Sequence, residues 1–300
     1  MMSPKTAKPL TLDLALVLPS SLLQEKDVSN YRYHVKRAVY LASVEQYLRT
    51  HLKALHCTAM EAVPSSFDER KGNLSLQFGS AFTIVLSTML DMEKAPFSAE
   101  KLSPTRRNVR PDVFTSSALP LQLEDSEDEA ATPAYNASIL SDATPLYHLR
   151  YVGQLLKQFP AAMEAMALLV QWKRQCHAPH NNILSAFQWR LLFAYACPLV
   201  CEKEMNAEHM LWQFLRWFGA LDLAEPIPAT ASPMAQSAFQ CLDPLYKYNV
   251  TGNVPQKAVS FLQQQARLYL ALPAGTSLTT YLAEPLFFLP AIFQADLYQR

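Results

Sequence analysis

Leu12-Asp13-Leu14-Ala15-Leu16 reads as a β-strand, with leucines on one face and Asp13 and Ala15 on the other. Pro19 ends the strand pattern. A strand that seats a pair of divalent cations carries two carboxylates two residues apart on one face, and here Ala15 takes the second place. Two-metal phosphoryl transfer needs several oxygen ligands around cations held about 3.5–4 Å apart. Asp13 supplies one side chain.

The segments that follow are more specific than the strand. Leu18-Pro19-Ser20-Ser21-Leu22-Leu23-Gln24-Glu25-Lys26-Asp27 leads into Asn30-Tyr31-Arg32-Tyr33-His34-Val35-Lys36-Arg37-Ala38-Val39-Tyr40-Leu41. Three later stretches, FSAEKLSPTRRNVRP (97–111), TPAYNASILSD (132–142) and AMALLVQWKRQ (165–175), keep a fixed order behind them. Together they resemble the Nrap family of nucleolar RNA-associated proteins, and the match runs from about residue 10 to about residue 290. The family pattern is a one-Asp strand, a "KD-x-x-N-x-RY" turn and a "KRA-x-YL" helix, then "L-x-P-x-R-N-N-V-R-P", "TP-x-YN-x-x-I-x-x-D" and "A-x-x-LLK-x-W-x-x-Q". Family members are longer and carry a second nucleotidyltransferase-like half. The resemblance therefore implies that this sequence is the N-terminal portion of such a protein.

Composition sets outer bounds. The chain has 300 residues, 50% hydrophobic and 17% charged, which describes a folded chain rather than a disordered one. Lys plus Arg and Asp plus Glu both number 26, so nucleic-acid contact must come from local patches. Only 6 glycines are present, and none forms a phosphate-cradling Gly-rich loop. Five scattered cysteines, an odd number, point to reduced thiols. MMSPKTAKPL lacks the apolar core of a secretory leader, and no apolar run suggests a membrane span. The sequons at Asn73, Asn136 and Asn249 are then chance matches.

Periodicity predicts a strand at 10–19, a helix at 30–55, strands at 73–78 and 81–90, and helices at 142–158, 160–176, 183–201, 207–220 and 255–272. Glu124-Asp125-Ser126-Glu127-Asp128-Glu129 marks a solvated linker, and Ser126 before three acidic residues is a candidate phosphorylation site. The expected architecture is α+β. A partial nucleotidyltransferase-like α/β domain fills 1–111, an acidic linker 112–134, and an all-helical domain 135–300. The resemblance implies that the last is of the poly(A)-polymerase or oligoadenylate-synthetase type.

Several residues are candidates for chemistry. An active enzyme of this fold needs a third carboxylate on a neighbouring strand, but Phe82–Leu90 contains none and Asp91 follows its end. The Gly-Ser turn that should precede Asp13 is also missing. Asp13 is therefore read as a vestigial metal position, and no catalysis, metal, cofactor or small-molecule substrate is expected. Lys101, Arg106, Arg107 and Arg110, stiffened by Pro104 and Pro111, could grip phosphate oxygens or pair internally with carboxylates. Lys26, Arg32, Lys36 and Arg37 form a second cationic group, with Asp27 as an internal partner. Cys197 and Cys201, and His177 with His180, lack the further ligands of a zinc site. Asp243 and Asn249 read as turn-forming residues.

By resemblance, the expected role is a non-catalytic scaffold of the nucleolar small-subunit processome. Its partners would be pre-ribosomal RNA and other assembly proteins, and its place the nucleolus. Two alternatives stand beside it: an active terminal nucleotidyltransferase, and a module that contacts proteins only.

Overall fold

The computed structural model describes residues 10–51, 54–65, 68, 71–80, 82–110, 131–176, 184–227, 239–252 and 254–271. These fall into two compact units, one drawn from Met1–Leu146 and Asp243–Asn253, the other from Tyr147–Leu242 and Val254–Arg300.

The first unit is built on a four-stranded sheet of β1 (Leu10–Val17), β2 (Ala59–Pro64), β3 (Gly72–Phe78) and β4 (Phe82–Met89), in the order β1-β4-β3-β2. β1 runs parallel to β4, while β3 is antiparallel to both β2 and β4. The parallel pair needs a crossover, which α1 (Arg32–His51) begins. Register sets the two faces. Leu14 pairs with Leu86 and Leu86 with Leu74, while Leu12 pairs with Ile84 and Ile84 with Leu76. These form one apolar face, on which Leu41, Met60, Leu74, Leu76 and Leu86 are buried against Val44 and Leu48. The other face is mixed, with Asp13, Ser87, Ser75 and Glu61 beside Val85 and Met89. β1 is an edge strand, and Leu10, Leu12 and Leu14 stay 64%, 44% and 49% exposed on the apolar side.

The expected strands and helices are largely present, with three differences. β2 was missed, because AMEAVP is short, ends in proline and barely alternates. The helix expected at 142–158 is α3 (Pro145–Gln158), and a helix that was not expected, α2 (Pro133–Ala143), precedes it and ends where Pro145 cannot continue it. The third difference concerns the division of the chain. α2 belongs with the sheet, where Leu90 N–H donates to the Asp142 carbonyl at 2.8 Å, and the units divide at 146/147 rather than at 135.

The second unit holds most of α3 and the helices α4 (Ala162–Gln175), α5 (Ala186–Val200), α6 (Ala207–Ala220) and α7 (Gln256–Leu270). Trp172, Trp189, Phe193, Phe214 and Phe218 fill its core, with Trp189 and Phe218 edge to face at 5.0 Å. Pro198 inside α5 has no N–H for the Ala194 carbonyl, and the Tyr151 hydroxyl donates to that oxygen at 3.3 Å. Arg267 Nε donates to the Gly219 carbonyl at 2.7 Å, a cation against the C-terminal end of α6. Among the described residues, no helix is long and apolar enough to cross a membrane. The acidic run with Ser126, Pro111 and the His177–His180 pair lie outside the described residues.

Candidate nucleic-acid interface

Asp13 is exposed on the sheet face opposite the leucines and pairs with Val85 of β4. Across the sheet the row continues through Ser75 to Glu61. Glu61 is three strand spacings away, roughly 14 Å. β4 ends at Met89, already about 13 Å along the strand from the Asp13 register position, and Asp91 beyond it is paired with Lys94 at 3.0 Å. Neither carboxylate can join Asp13 around cations a few ångströms apart. Among the described residues, no group of three His, Cys, Asp or Glu side chains could hold a metal ion.

The family-like stretches converge elsewhere, on a buried polar frame. Asp142 Oδ2 accepts from the Tyr33 hydroxyl at 2.8 Å and from Arg37 Nε at 3.0 Å, while Oδ1 accepts from Lys71 Nζ at 2.8 Å. Lys71 also donates to the Ser138 carbonyl and to Ser141 Oγ. Burial pulls the Lys71 ammonium below the usual lysine range, opposed by the Asp142 carboxylate. Burial, and then the negative charge of Asp142, push the Tyr33 phenol well up. Arg37 is 3% exposed and also donates to the Gly72 carbonyl at 2.9 Å. Its assignment as an RNA contact is therefore corrected: this guanidinium ties α1 to α2 and to β3, and none of it is left for a ligand.

A second set of contacts in the frame fixes an irregular loop. Asn136, fully buried on α2, donates Nδ2 to the Ser103 carbonyl at 2.7 Å and to the Arg106 carbonyl at 2.9 Å. Its Oδ1 accepts from Asn108 Nδ2 at 2.7 Å. Asn108 N–H donates to Thr132 Oγ1 at 2.9 Å, and Arg110 N–H to Asn30 Oδ1 at 3.0 Å. Asn30 and Tyr31 have φ of 55° and 60°. Asparagine tolerates that region and tyrosine resists it. Tyr31 is held there by donating its N–H to the Tyr135 hydroxyl at 3.2 Å, with the rings edge to face at 4.9 Å. Side-chain amides thus do for residues 101–110 what a ladder does for a strand. Asn136→Asp replaces two donors with a carboxylate facing two carbonyls. It should lower stability by about 2–3 kcal/mol in urea unfolding, and an unchanged midpoint would refute the frame.

This loop and the one-turn 3-10 helix at Glu25–Val28 border a shallow, open cleft of about 720 Å³. Lys26, Lys101, Arg106 and Arg107 line it, with Gln24, Ser29 and Asn108 between them. Folding therefore brings together members of two cationic groups that are distant in sequence. Glu25 is the one carboxylate of the lining, and it pairs with Lys101. The hydrogen bond and the charge of Lys101 draw the Glu25 carboxyl below its ordinary range. Among the described residues no carboxylate pairs with Lys26, Arg106 or Arg107.

The remaining sequence candidates lie apart from the cleft. Lys36 is half-buried, 2.7 Å from Asp27 Oδ2, and also donates to the Leu22 carbonyl. Arg32 and Arg110 are exposed and do not line the cleft. Cys201 N–H donates to the Cys197 carbonyl at 2.9 Å, and a thiol–thiol hydrogen bond followed by burial pushes Cys197 up. Asp243 Oδ2 accepts from the N–H of Leu245 and Tyr246, and Asn249 Oδ1 from Thr251 N–H, which makes both turn-formers. The buried partners Lys71 and Asp142 were missed, although Asp142 closes a family-like stretch and lay in plain view.

Comparison with known proteins places the chain in a family. Residues 1–158 match the family described as Nrap protein domain 1. Nucleolar protein 6 of Xenopus tropicalis is 27% identical over 285 residues, covering 89% of this chain and 24% of the relative. U3 small nucleolar RNA-associated protein 22 of Saccharomyces cerevisiae is 26% identical over 199 residues, covering 59% of this chain and 15% of the relative. The chain thus spans a quarter or less of the length of these curated relatives. The structure of the E. coli MS115-1 CdnC:HORMA-deltaN complex contains a chain with a TM-score of 0.50 at 14% identity, covering 88% of this chain and 69% of that one. That likeness concerns the fold alone, which is α+β and nucleotidyltransferase-like. With its first 158 residues matched to domain 1 and the family-like motifs meeting in one frame, this chain belongs to the Nrap family.

Proposed function

We propose that this chain is a non-catalytic RNA- and protein-binding platform of ribosome assembly, acting in the nucleolus within the small-subunit processome. The observation that carries the reading is the cleft of Lys26, Lys101, Arg106 and Arg107, three of them without a carboxylate partner among the described residues. Arg forks match phosphate oxygens bidentately, and a rigid loop presents them without the entropy of ordering a flexible one. The names of the relatives, nucleolar protein 6 and U3 small nucleolar RNA-associated protein 22, support the compartment and the RNA. Pre-ribosomal RNA and neighbouring assembly proteins are the proposed partners. Crosslinking of RNA to the protein in cells should place adducts at 26 and 101–107. If protein crosslinks form there and RNA adducts do not, the chain is a protein-only module.

The absence of catalysis is part of the same proposal and rests on the one other carboxylate in the Asp13 cross-sheet row, Glu61, lying three strand spacings away. With magnesium or manganese, labelled nucleotide should be incorporated into RNA no faster by this chain than by Asp13→Ala. Incorporation that Asp13→Ala abolishes would establish an active terminal nucleotidyltransferase instead.

A further inference from the structure

A second hollow, of about 450 Å³, adjoins the cationic cleft. Met92, Ala95, Pro96 and Phe97 supply its apolar wall, and Ser98 a hydroxyl. Phe97 is buried at 4% exposure, and Met92 is half-buried. The hollow and the cleft share two residues, Glu25 and Lys101, which are ion-paired with each other. A cationic trough and a hollow of mixed polar and apolar lining therefore share one donor–acceptor pair.

From this juxtaposition we propose that the two recesses together hold one nucleotide of single-stranded RNA, with the base in the hollow and the flanking phosphates on Lys26, Arg106 and Arg107. The inference rests on the platform reading and narrows its ligand. A base is a flat apolar plate with a polar rim. The Met92 thioether and the Pro96 ring can pack against its faces, and the Glu25 carboxylate, the Lys101 ammonium and the Ser98 hydroxyl stand within the same lining to meet its rim. Bases in a duplex are stacked and paired, and entering the hollow would first break both interactions. An extended strand has bases free to turn inward, so the geometry selects single strands. A peptide of acidic residues alone could satisfy the cations but has nothing to fill the hollow.

The test measures binding of the whole 300-residue chain to three labelled RNAs of equal phosphate count: a single strand, a duplex and an abasic strand. The single strand should bind roughly tenfold tighter than the other two, in keeping with the contribution of one packed base. Ala95→Trp, which fills the hollow and leaves every cation in place, should abolish that preference while leaving duplex affinity unchanged. The abasic strand needs no variant, so it decides the matter even if Ala95→Trp misfolds. Equal binding of abasic and normal strands, or displacement of RNA by polyglutamate as effective as by RNA itself, overturns the base site. If that happens while Arg106→Ala/Arg107→Ala still weakens all three, the platform reading survives. If the arginine variant binds all three as tightly as the parent, the platform reading falls instead.

Discussion

Asp142→Ala is expected to destabilise the sheet unit by about 3–5 kcal/mol, the range for removing one partner of a buried ion pair. Domain stabilities are about 5–15 kcal/mol in total, so this one change should bring the unit close to unfolding. The carboxylate touches three groups from two other parts of the chain: Tyr33 and Arg37 on α1, and Lys71 just before β3. Its loss strands two cations, Lys71 and Arg37, in a place that water does not reach. Lys71→Met should be far milder, because it removes a charge instead of orphaning one and leaves Asp142 paired with Arg37. Urea unfolding followed by circular dichroism gives the magnitude. Hydrogen exchange should then show β3, β4 and α2 opening together. If Asp142→Ala melts within about 1 kcal/mol of the parent, the cluster is not what holds α2 to the sheet.

Arg106→Ala/Arg107→Ala should weaken RNA binding by about 10–100-fold at low salt and flatten the dependence of log K on log salt by about 1.4–1.8. Each neutralised phosphate contact contributes about 0.7 to that slope for single strands and about 0.9 for duplexes. Loss of slope is the sharper readout, since it counts displaced counterions and ignores folding defects. Arg106→Lys/Arg107→Lys keeps the charges and should retain the slope while losing the bidentate fit. Arg32→Ala, on the exposed first turn of α1 and outside the cleft, is the control. If Arg32→Ala costs as much affinity and slope as the double variant, the cleft is not the seat of binding.

Local chemistry was legible in the residue string. The β3–β4 hairpin appeared because Gly79 sits at the turn, with φ of 61°, between two alternating runs. α6 appeared with its ends correct because its apolar stripe is strong and Asn206 caps it, accepting from His209 N–H at 2.8 Å. β2 did not appear, because its strand character comes from pairing with β3 rather than from its own residues. The two cationic groups were both visible, but which members face a ligand was not. Arg37 and Lys36 are adjacent in sequence, yet the helical turn sends one into the core and leaves the other at the surface.

The linear sequence thus determined the family, most of the strands and helices, and the lack of a second carboxylate beside Asp13, since all of these depend on residue type at short spacing. Only the tertiary structure decided that Arg37, Lys71 and Asp142 are internal fasteners, and that Lys26 meets Lys101, Arg106 and Arg107 around one cleft. The reason is physical. The worth of a charge depends on its burial and on its partners, and both come from segments about seventy to a hundred residues away, where no local pattern can report them.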